Sequence, residues 1–459
     1  MTEVPVIVGA GPAGMRAALT LAAAGRRPVV IDEAPTSGGQ VFRRPPPERQ
    51  RAPRALYGFD ADHARALHHA FDAARPEIDY RPNATVWSAD ASDLHLVESG
   101  RRTVLRWSRL ILATGAMDRV IPIPGWTAPG AYTLGGAQIA LKAQALLVGR
   151  RIAFFGTGPL LYLVAKQYAK AGADVVAVVD TRPRDSFLRC SMGLIRGGRL
   201  LLNGLIYLAD LKRRGVRMEI GARPLEILAG DDGAVAGFRF LDHVGNDVRL
   251  ECDAVAFGYG LRSETQIADL LDLDFSFDDR QRQWLPTQDA DTRASRPGVY
   301  LAGDGARVRG AAAAAIDGER AALALLHDDG EGGLQSRIDA LRARSRSLEP
   351  FRRAIDETAF PFPVGLAQEA GDALMICRCE GITAGAIRQA VTQTGEADVN
   401  RLKAFTRLGM GRCQGRVCGA AAVEIIAAAA EVPIEATGRL RGQAPIKPTS
   451  LAALAERVP

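Results

Sequence analysis

"VPVIVGAGPAGMRAALTLAAAGRRPVVIDEA", residues 4–34, sets the fold class. Val4 to Val8 form a β-branched run of the kind buried in a parallel sheet. Gly9, Gly11 and Gly14 follow as G-x-G-x-x-G, with Pro12 and Ala13 between the last two. An alanine- and leucine-rich stretch predicts a helix, and Pro28 to Ile31 a second buried strand that ends in Asp32 and Glu33. Each part has a physical reason. Gly9 permits the tight turn, Gly11 lets the backbone approach a pyrophosphate, and Gly14 lets helix and strand pack closely. The helix start offers free N–H groups and a positive dipole to phosphates. An acid about 20 positions on accepts ribose hydroxyls. Asp32 has that spacing, and Glu33 beside it is an equal candidate. Strand, glycines, helix, strand and acid in this order predict a dinucleotide-binding α/β domain.

Working outward, Pro12 and Ala13 in "GAGPAG" resemble FAD-dependent oxidoreductases more than simple dehydrogenases. "LILATGA", 110–116, resembles the strand and turn that close the first half of an FAD domain, with Thr114 and Gly115 at the turn. "GVYLAGDGA", 298–306, resembles the late motif of that family; the resemblance implies that Asp304, after Gly303, holds the ribityl chain. "SGGQV", 37–41, matches the loop of thioredoxin-reductase-like flavoproteins at Gly39 and Gln40.

The pattern recurs in "RIAFFGTGPLLYLVAKQYAKAGADVVAVVD", 151–180, with Gly156, Gly158 and a terminal Asp180. This looks like the nicotinamide domain inserted into the FAD domain of two-dinucleotide-binding flavoproteins. Leu161 replaces the third glycine. Two readings stay open: NAD, because an acid at the strand end repels a 2′-phosphate, or a domain that keeps its fold while binding another adenine nucleotide or nothing. Thioredoxin reductases carry Cys-x-x-Cys here, whereas this chain has only Cys190. Disulfide reduction needs two sulfurs within reach. Cys190 and Cys252, the latter read as a strand cysteine, are expected to be packing residues.

The other four of the six cysteines cluster near the end, in "ICRCEGIT", 376–383, and "MGRCQGRVCG", 410–419. Cys377, Cys379, Cys413 and Cys418 suit two chemistries. Zinc takes four tetrahedral thiolates, usually from C-x2-C pairs; a [2Fe–2S] cluster also takes four. The C-x-C pair departs from the usual zinc spacing. Thr383 reads as the cap of one following helix, and Cys418 as the start of another. Helix N-termini would stabilise a negative cluster, as would Arg378, Lys403, Arg407, Arg412 and Arg416.

"CRCEGIT" with "TRLGMGRCQGRVCG" resembles the bacterioferritin-associated-ferredoxin-like [2Fe–2S] domain. Nearly the whole chain resembles one family: the larger FAD/[2Fe–2S] subunits of opine oxidases, hydroxyproline dehydrogenases and hydrogen cyanide synthase. Gly381 after Glu380 departs from the family's usual second acid. The expected fold class is α/β, with two Rossmann-like dinucleotide-binding domains, one inserted in the other, plus a small helical C-terminal [2Fe–2S] domain. The expected limits are 1–116 and 285–330 for the FAD domain and 117–284 for the insert. Residues 331–372 are expected to be a linker with a helical middle, 373–430 the cluster domain and 431–459 a tail. The resemblance implies an electron-transferring subunit of a heteromeric amine or imino-acid dehydrogenase. Its partner would be a smaller FAD-containing flavoprotein that oxidises the substrate, with FMN at the interface between them and a separate electron acceptor. A self-contained NAD(P)H-dependent oxidoreductase and a scaffold subunit with structural nucleotide sites are the rival readings.

The composition agrees with a soluble multidomain protein: 459 residues, 47% apolar, 24% charged, formal charge +6. The arginines are scattered, and no helix-turn-helix, zinc-finger spacing or aromatic-basic stripe supports nucleic-acid binding. No apolar run nears the roughly 18 residues of a membrane span. The apolar opening belongs to the glycine motif rather than to a signal peptide, so a cytoplasmic protein is expected. His68 and His69 are placed on a surface helix, and no histidine joins a catalytic constellation; the catalytic residues are unknown.

Overall fold

The computed structural model describes residues 4–189 and 191–455. Cys190 lies outside them. Five parallel strands form the first sheet, in the order Val299–Leu301, Arg109–Leu112, Pro5–Val8, Val29–Ile31, Asp79–Arg81. Alternation along the strands sends side chains to two separate cores. Ile7, Val30 and Ile111 face the helices Pro12–Ala23 and Ala311–Asp328. Val6, Val8 and Leu110 face the antiparallel sheet of Ala84–Ala89, Asp93–Glu98 and Arg101–Arg106. Burial on both faces is why these strands read as unbroken apolar runs. The two helices meet at Gly318, where a Cβ would lie 2.0 Å from the Ala13 carbonyl oxygen.

The second sheet is also parallel, ordered Arg217–Ile220, Asp174–Asp180, Arg151–Thr157, Ala254–Tyr259, Ala131–Thr133. Ile152, Phe154 and Val178 face the helix Pro159–Lys170. Phe155 faces the other way and stacks on Phe238 and Phe257, with ring centroids 4.7 and 4.9 Å apart. Two short antiparallel strands, Ala116–Asp118 and Leu261–Ser263, carry the chain out to this insert and back. The return falls well before residue 285, because Ile267, Ala268, Leu271 and Leu273 pack in the core of the first sheet. The sequence reading places the return at 285; packing places it earlier.

Residues 331–372 hold the helices Gln335–Ser347 and Glu349–Arg353 and a π-helical turn, Ala354–Ala359. Phe351, Ile355 and Ala359 are buried, so the segment is packed rather than a loose linker. The hairpin Met375–Cys377/Ile382–Thr383 and the helices Ala384–Thr394, Val399–Thr406 and Gly419–Ala429 complete the cysteine domain. It shares one apolar core with the Phe155 face of the insert. Residues 432–455 form a strap rather than a free tail. Ile446 sits in the core of the first sheet and donates its N–H to the Trp87 carbonyl at 2.9 Å. Among the described residues no helix is long and apolar enough to cross a membrane.

Candidate flavin and iron-sulfur sites

The first glycine loop is a cradle. Gly9 has φ +104°, and a Cβ there would lie 2.3 Å from the Ala113 carbonyl oxygen. A Cβ at Gly14 would lie 1.8 Å from the Gly9 carbonyl oxygen. Gly11 differs: its Cβ would meet only the Gly39 Cα, at 3.8 Å. Its lack of a side chain keeps space open at the start of the helix Pro12–Ala23, where Pro12 removes an N–H that has no partner anyway. Asp32 accepts the N–H of Ala10 at 2.5 Å and of Ala34 at 2.7 Å, tying the strand end to the loop. Burial pushes its carboxyl up, and those N–H groups oppose the shift. Glu33 is exposed and pairs with Lys447 of the strap at 3.0 Å. Gly303 packs on Ala13, and the neighbouring Asp304 accepts the N–H groups of Arg309 and Gly310 on one carboxylate oxygen, at 2.7 and 2.8 Å. Thr114 donates its hydroxyl to the Glu264 carbonyl at 2.6 Å, and Gly115 has φ +74°. Gln40 is exposed beside Gly39. An open Gly11 face, a helix start and a brace of acidic residues fit FAD.

The second glycine pair is shaped similarly but filled differently. A Cβ at Gly156 would lie 1.8 Å from the Gly258 carbonyl oxygen, and Gly158 faces Gly260. Leu161 is fully buried, which uses the close contact a third glycine would give. Asp180, expected at the strand end to face a ribose, is fully buried. It accepts the Tyr162 hydroxyl at 2.6 Å and the Arg182 N–H at 2.9 Å, and pairs with the Arg182 Nε at 3.1 Å. Burial pushes its carboxyl up. Arg182 lies over the ring of Phe187 at 3.9 Å, and Phe360 from the packed 331–372 segment closes on Phe187 and Tyr162. No local pattern foretells this, because Phe360 is 180 residues from Asp180.

The four cysteines come together. Cys377 and Cys418 are buried, Cys413 is half-buried and Cys379 exposed. Cys418 lies within hydrogen-bond reach of Cys377 and Cys413, and Cys413 of Cys379. The Cys418 thiol holds Cys377 down at about 6 and Cys413 at about 5. The sulfurs thus run as a chain, Cys377 to Cys418 to Cys413 to Cys379, with two of them eased toward thiolate. Among the described residues the sulfurs do not close into one compact group around a single ion; as linked pairs they fit the four thiolates that a [2Fe–2S] cluster takes. The Thr383 hydroxyl accepts the Ala386 N–H at 3.2 Å, the expected cap, and Cys418 stands at the start of Gly419–Ala429. Arg378 lies over Trp126, and Arg407 pairs with Glu380 at 2.8 Å.

A largely buried ion pair joins the two sites. Arg416, between the last two cysteines, donates to Glu264 at 2.6 Å, and Glu264 receives the Thr114 hydroxyl on its carbonyl. Arg416 also reaches the Cys413 carbonyl at 3.4 Å. Next to this pair lies a narrow cleft lined by Arg262, Glu264, Trp284, Arg416, Gly419 and Arg439. Arg262 and Glu264 carry no signal in the sequence. On the half-exposed helix Ala61–Ala73, His69 is exposed and His68 is half-buried against Phe42 and Tyr57, where burial brings it down to about 4. Cys252 is buried in the turn before Ala254–Tyr259 rather than in a strand.

A family model described as pyridine nucleotide-disulphide oxidoreductase matches residues 5–318, and one described as a BFD-like [2Fe-2S] binding domain matches 375–428. An opine oxidase subunit from Rhizobium meliloti is 36% identical over 98% of this chain and 87% of its own length. Hydrogen cyanide synthase subunit HcnB of Pseudomonas protegens is 33% identical over 90% of each chain. The structure of L-proline dehydrogenase from P. horikoshii superposes with a TM-score of 0.71, at 18% identity, over 99% of this chain and 79% of that one.

Proposed function

From a chain that belongs to the pyridine nucleotide-disulphide oxidoreductase family and carries a BFD-like [2Fe-2S] binding domain, we propose an electron-handling subunit of a heteromeric dehydrogenase. It is an oxidoreductase whose relatives are subunits of opine oxidase and hydrogen cyanide synthase. The substrate class is an amino-acid-type amine: an opine, proline, hydroxyproline or glycine. It would be oxidised on a smaller FAD-containing partner, with FMN at the interface and electrons leaving to a separate acceptor. The assembly would work in the cytoplasm, where thiols stay reduced.

The observation that carries this reading is the Arg416–Glu264 pair, which ties the cysteine loop to the Thr114 turn of the flavin cradle. Bound FAD and the [2Fe–2S] cluster supply the switch between two-electron and one-electron chemistry. The chain's residues hold and orient them. Gly9, Gly11 and Gly14 with the helix start at Pro12 and Ala13 seat the pyrophosphate. Asp32 braces the loop, Glu33 stands nearest solvent for the ribose, and Gly39, Gln40, Thr114 and Gly115 line the remainder. Gly303 lets Asp304 approach, and the oxygen of Asp304 not used by Arg309 and Gly310 remains for the ribityl chain. Cys377, Cys379, Cys413 and Cys418 ligate the irons.

The filled second site argues against the self-contained NAD(P)H reading. Asp180 is engaged by Tyr162 and Arg182, so Gly156 and Gly158 retain the fold without a ribose acceptor. The test is purification of the chain with and without its companion flavoprotein. The chain alone should hold FAD and two irons and oxidise none of the four substrates with an artificial acceptor. Adding the companion should restore one activity. Robust amine oxidation by the chain alone would falsify the division of labour, and cofactors that respond to no reductant would favour the scaffold reading.

A further inference from the structure

We propose that Arg262 raises the reduction potential of the iron-sulfur cluster by placing a fixed positive charge beside its ligands. Arg262 lies on the returning strand Leu261–Ser263, opposite Met117. Its Nε and Nη1 atoms are buried with no hydrogen-bond partner. Nη1 abuts Gly419, where a Cβ would come within 3.2 Å of it, and Gly419 directly follows Cys418. The charges that face the guanidinium are Glu264, Arg416 and the thiolates of Cys418 and Cys413.

The neighbouring charges are already engaged. Glu264 is held by Arg416 at 2.6 Å. Arg282 pairs with Glu424 at 2.8 Å, and Arg439 with Asp269 at 2.5 Å. Arg119 donates to the carbonyls of Leu261 and Gln281. A buried guanidinium without a partner is costly unless a negative charge offsets it. The thiolates of Cys418 and Cys413, which face it, are that charge. Reduction adds one electron to the cluster, so a fixed cation in a low-dielectric setting favours the reduced form. Net charge around the sulfurs is a determinant of cluster potential.

The inference rests on the four cysteines holding a [2Fe–2S] cluster, which iron and sulfide content checks separately. The test is an EPR-monitored redox titration of the full, anaerobically purified chain. Arg262→Gln should lower the reduced-to-oxidised ratio at a fixed poise about tenfold, which is about 59 mV for a one-electron couple. Arg262→Lys, which keeps the charge, should recover most of the difference. Arg388→Gln is the control, because Arg388 is paired with Asp372 elsewhere in the domain and should not move the potential. An unmoved potential in an iron-replete Arg262→Gln protein overturns the proposal, as does a Lys variant shifted as far as the Gln variant. If Arg262→Gln and Arg262→Met both lose the cluster while Arg262→Lys keeps it, charge is the requirement and the proposal stands. Loss from Arg262→Lys as well overturns it, because the fork of the guanidinium would then matter rather than its charge.

Discussion

Gly11 and Gly14, on either side of Pro12 and Ala13, have different tasks. Gly14 is needed by the protein itself, since its Cβ would press to 1.8 Å on the Gly9 carbonyl. Gly14→Ala should cost about 3 kcal/mol, the upper range for overpacking, read from the urea midpoint. Gly11 is needed by the ligand, since its Cβ meets nothing closer than 3.8 Å. Gly11→Val should change the stability of the flavin-free chain by only about 1 kcal/mol, the scale of a cap substitution, yet yield protein without the flavin absorbance. Full flavin in that variant would move the pyrophosphate elsewhere. These glycines are legible in the sequence because steric need is local. Asp180 misleads for the opposite reason: its spacing is right, but its partners Tyr162 and Arg182 turn it inward.

At the scale of elements, the cysteine domain depends on two devices. The first is the cap on Ala384–Thr394. Thr383→Ala should cost about 1 kcal/mol, seen as a lower melting temperature with earlier iron loss. The second is the Arg416–Glu264 pair. Burial pushes the Glu264 carboxyl up, but Arg416 and then Lys447 outweigh it and hold it below its ordinary 4.5. A lowered folded pKa adds stability that is present above 4.5 and lost as pH falls through the folded value. The stability gap between wild type and Glu264→Gln should therefore be largest near neutrality, on the order of 3–5 kcal/mol for one lost partner of a buried pair. It should shrink below pH 4.5, as denaturant titrations at several pH values would report. A gap independent of pH would mean that the pair is only packing. The cap is visible in the sequence; the pair is not, because Glu264 and Arg416 are brought together from different domains.

At the scale of the molecule, the insert has the shape of a nicotinamide domain, but its strand-end acid Asp180 is held by Tyr162 and Arg182, with Phe360 packed on Tyr162. NADH should therefore fail to bleach the flavin of the isolated chain in an anaerobic titration. Bleaching at stoichiometric NADH would show that Phe360 and Arg182 can withdraw. Residues 331–372, which supply Phe360, read as a linker for a compositional reason. Their composition is arginine-rich and polar, and only the burial of Phe351, Ile355 and Ala359 reveals a packed piece.

The sequence by itself determined both parallel sheets, the glycine turns and the four cysteines. Those depend on periodicity, on steric limits and on ligand chemistry confined to a few adjacent residues. Tertiary structure decided where the insert ends, which partners hold Asp180, and how the cysteine loop meets the flavin cradle. Each of these is a contact between segments far apart in the chain. Ile267 must find the first sheet, Phe360 must find Tyr162, and Arg262 must find Gly419. No local pattern encodes such meetings; they follow from burying several apolar faces at once.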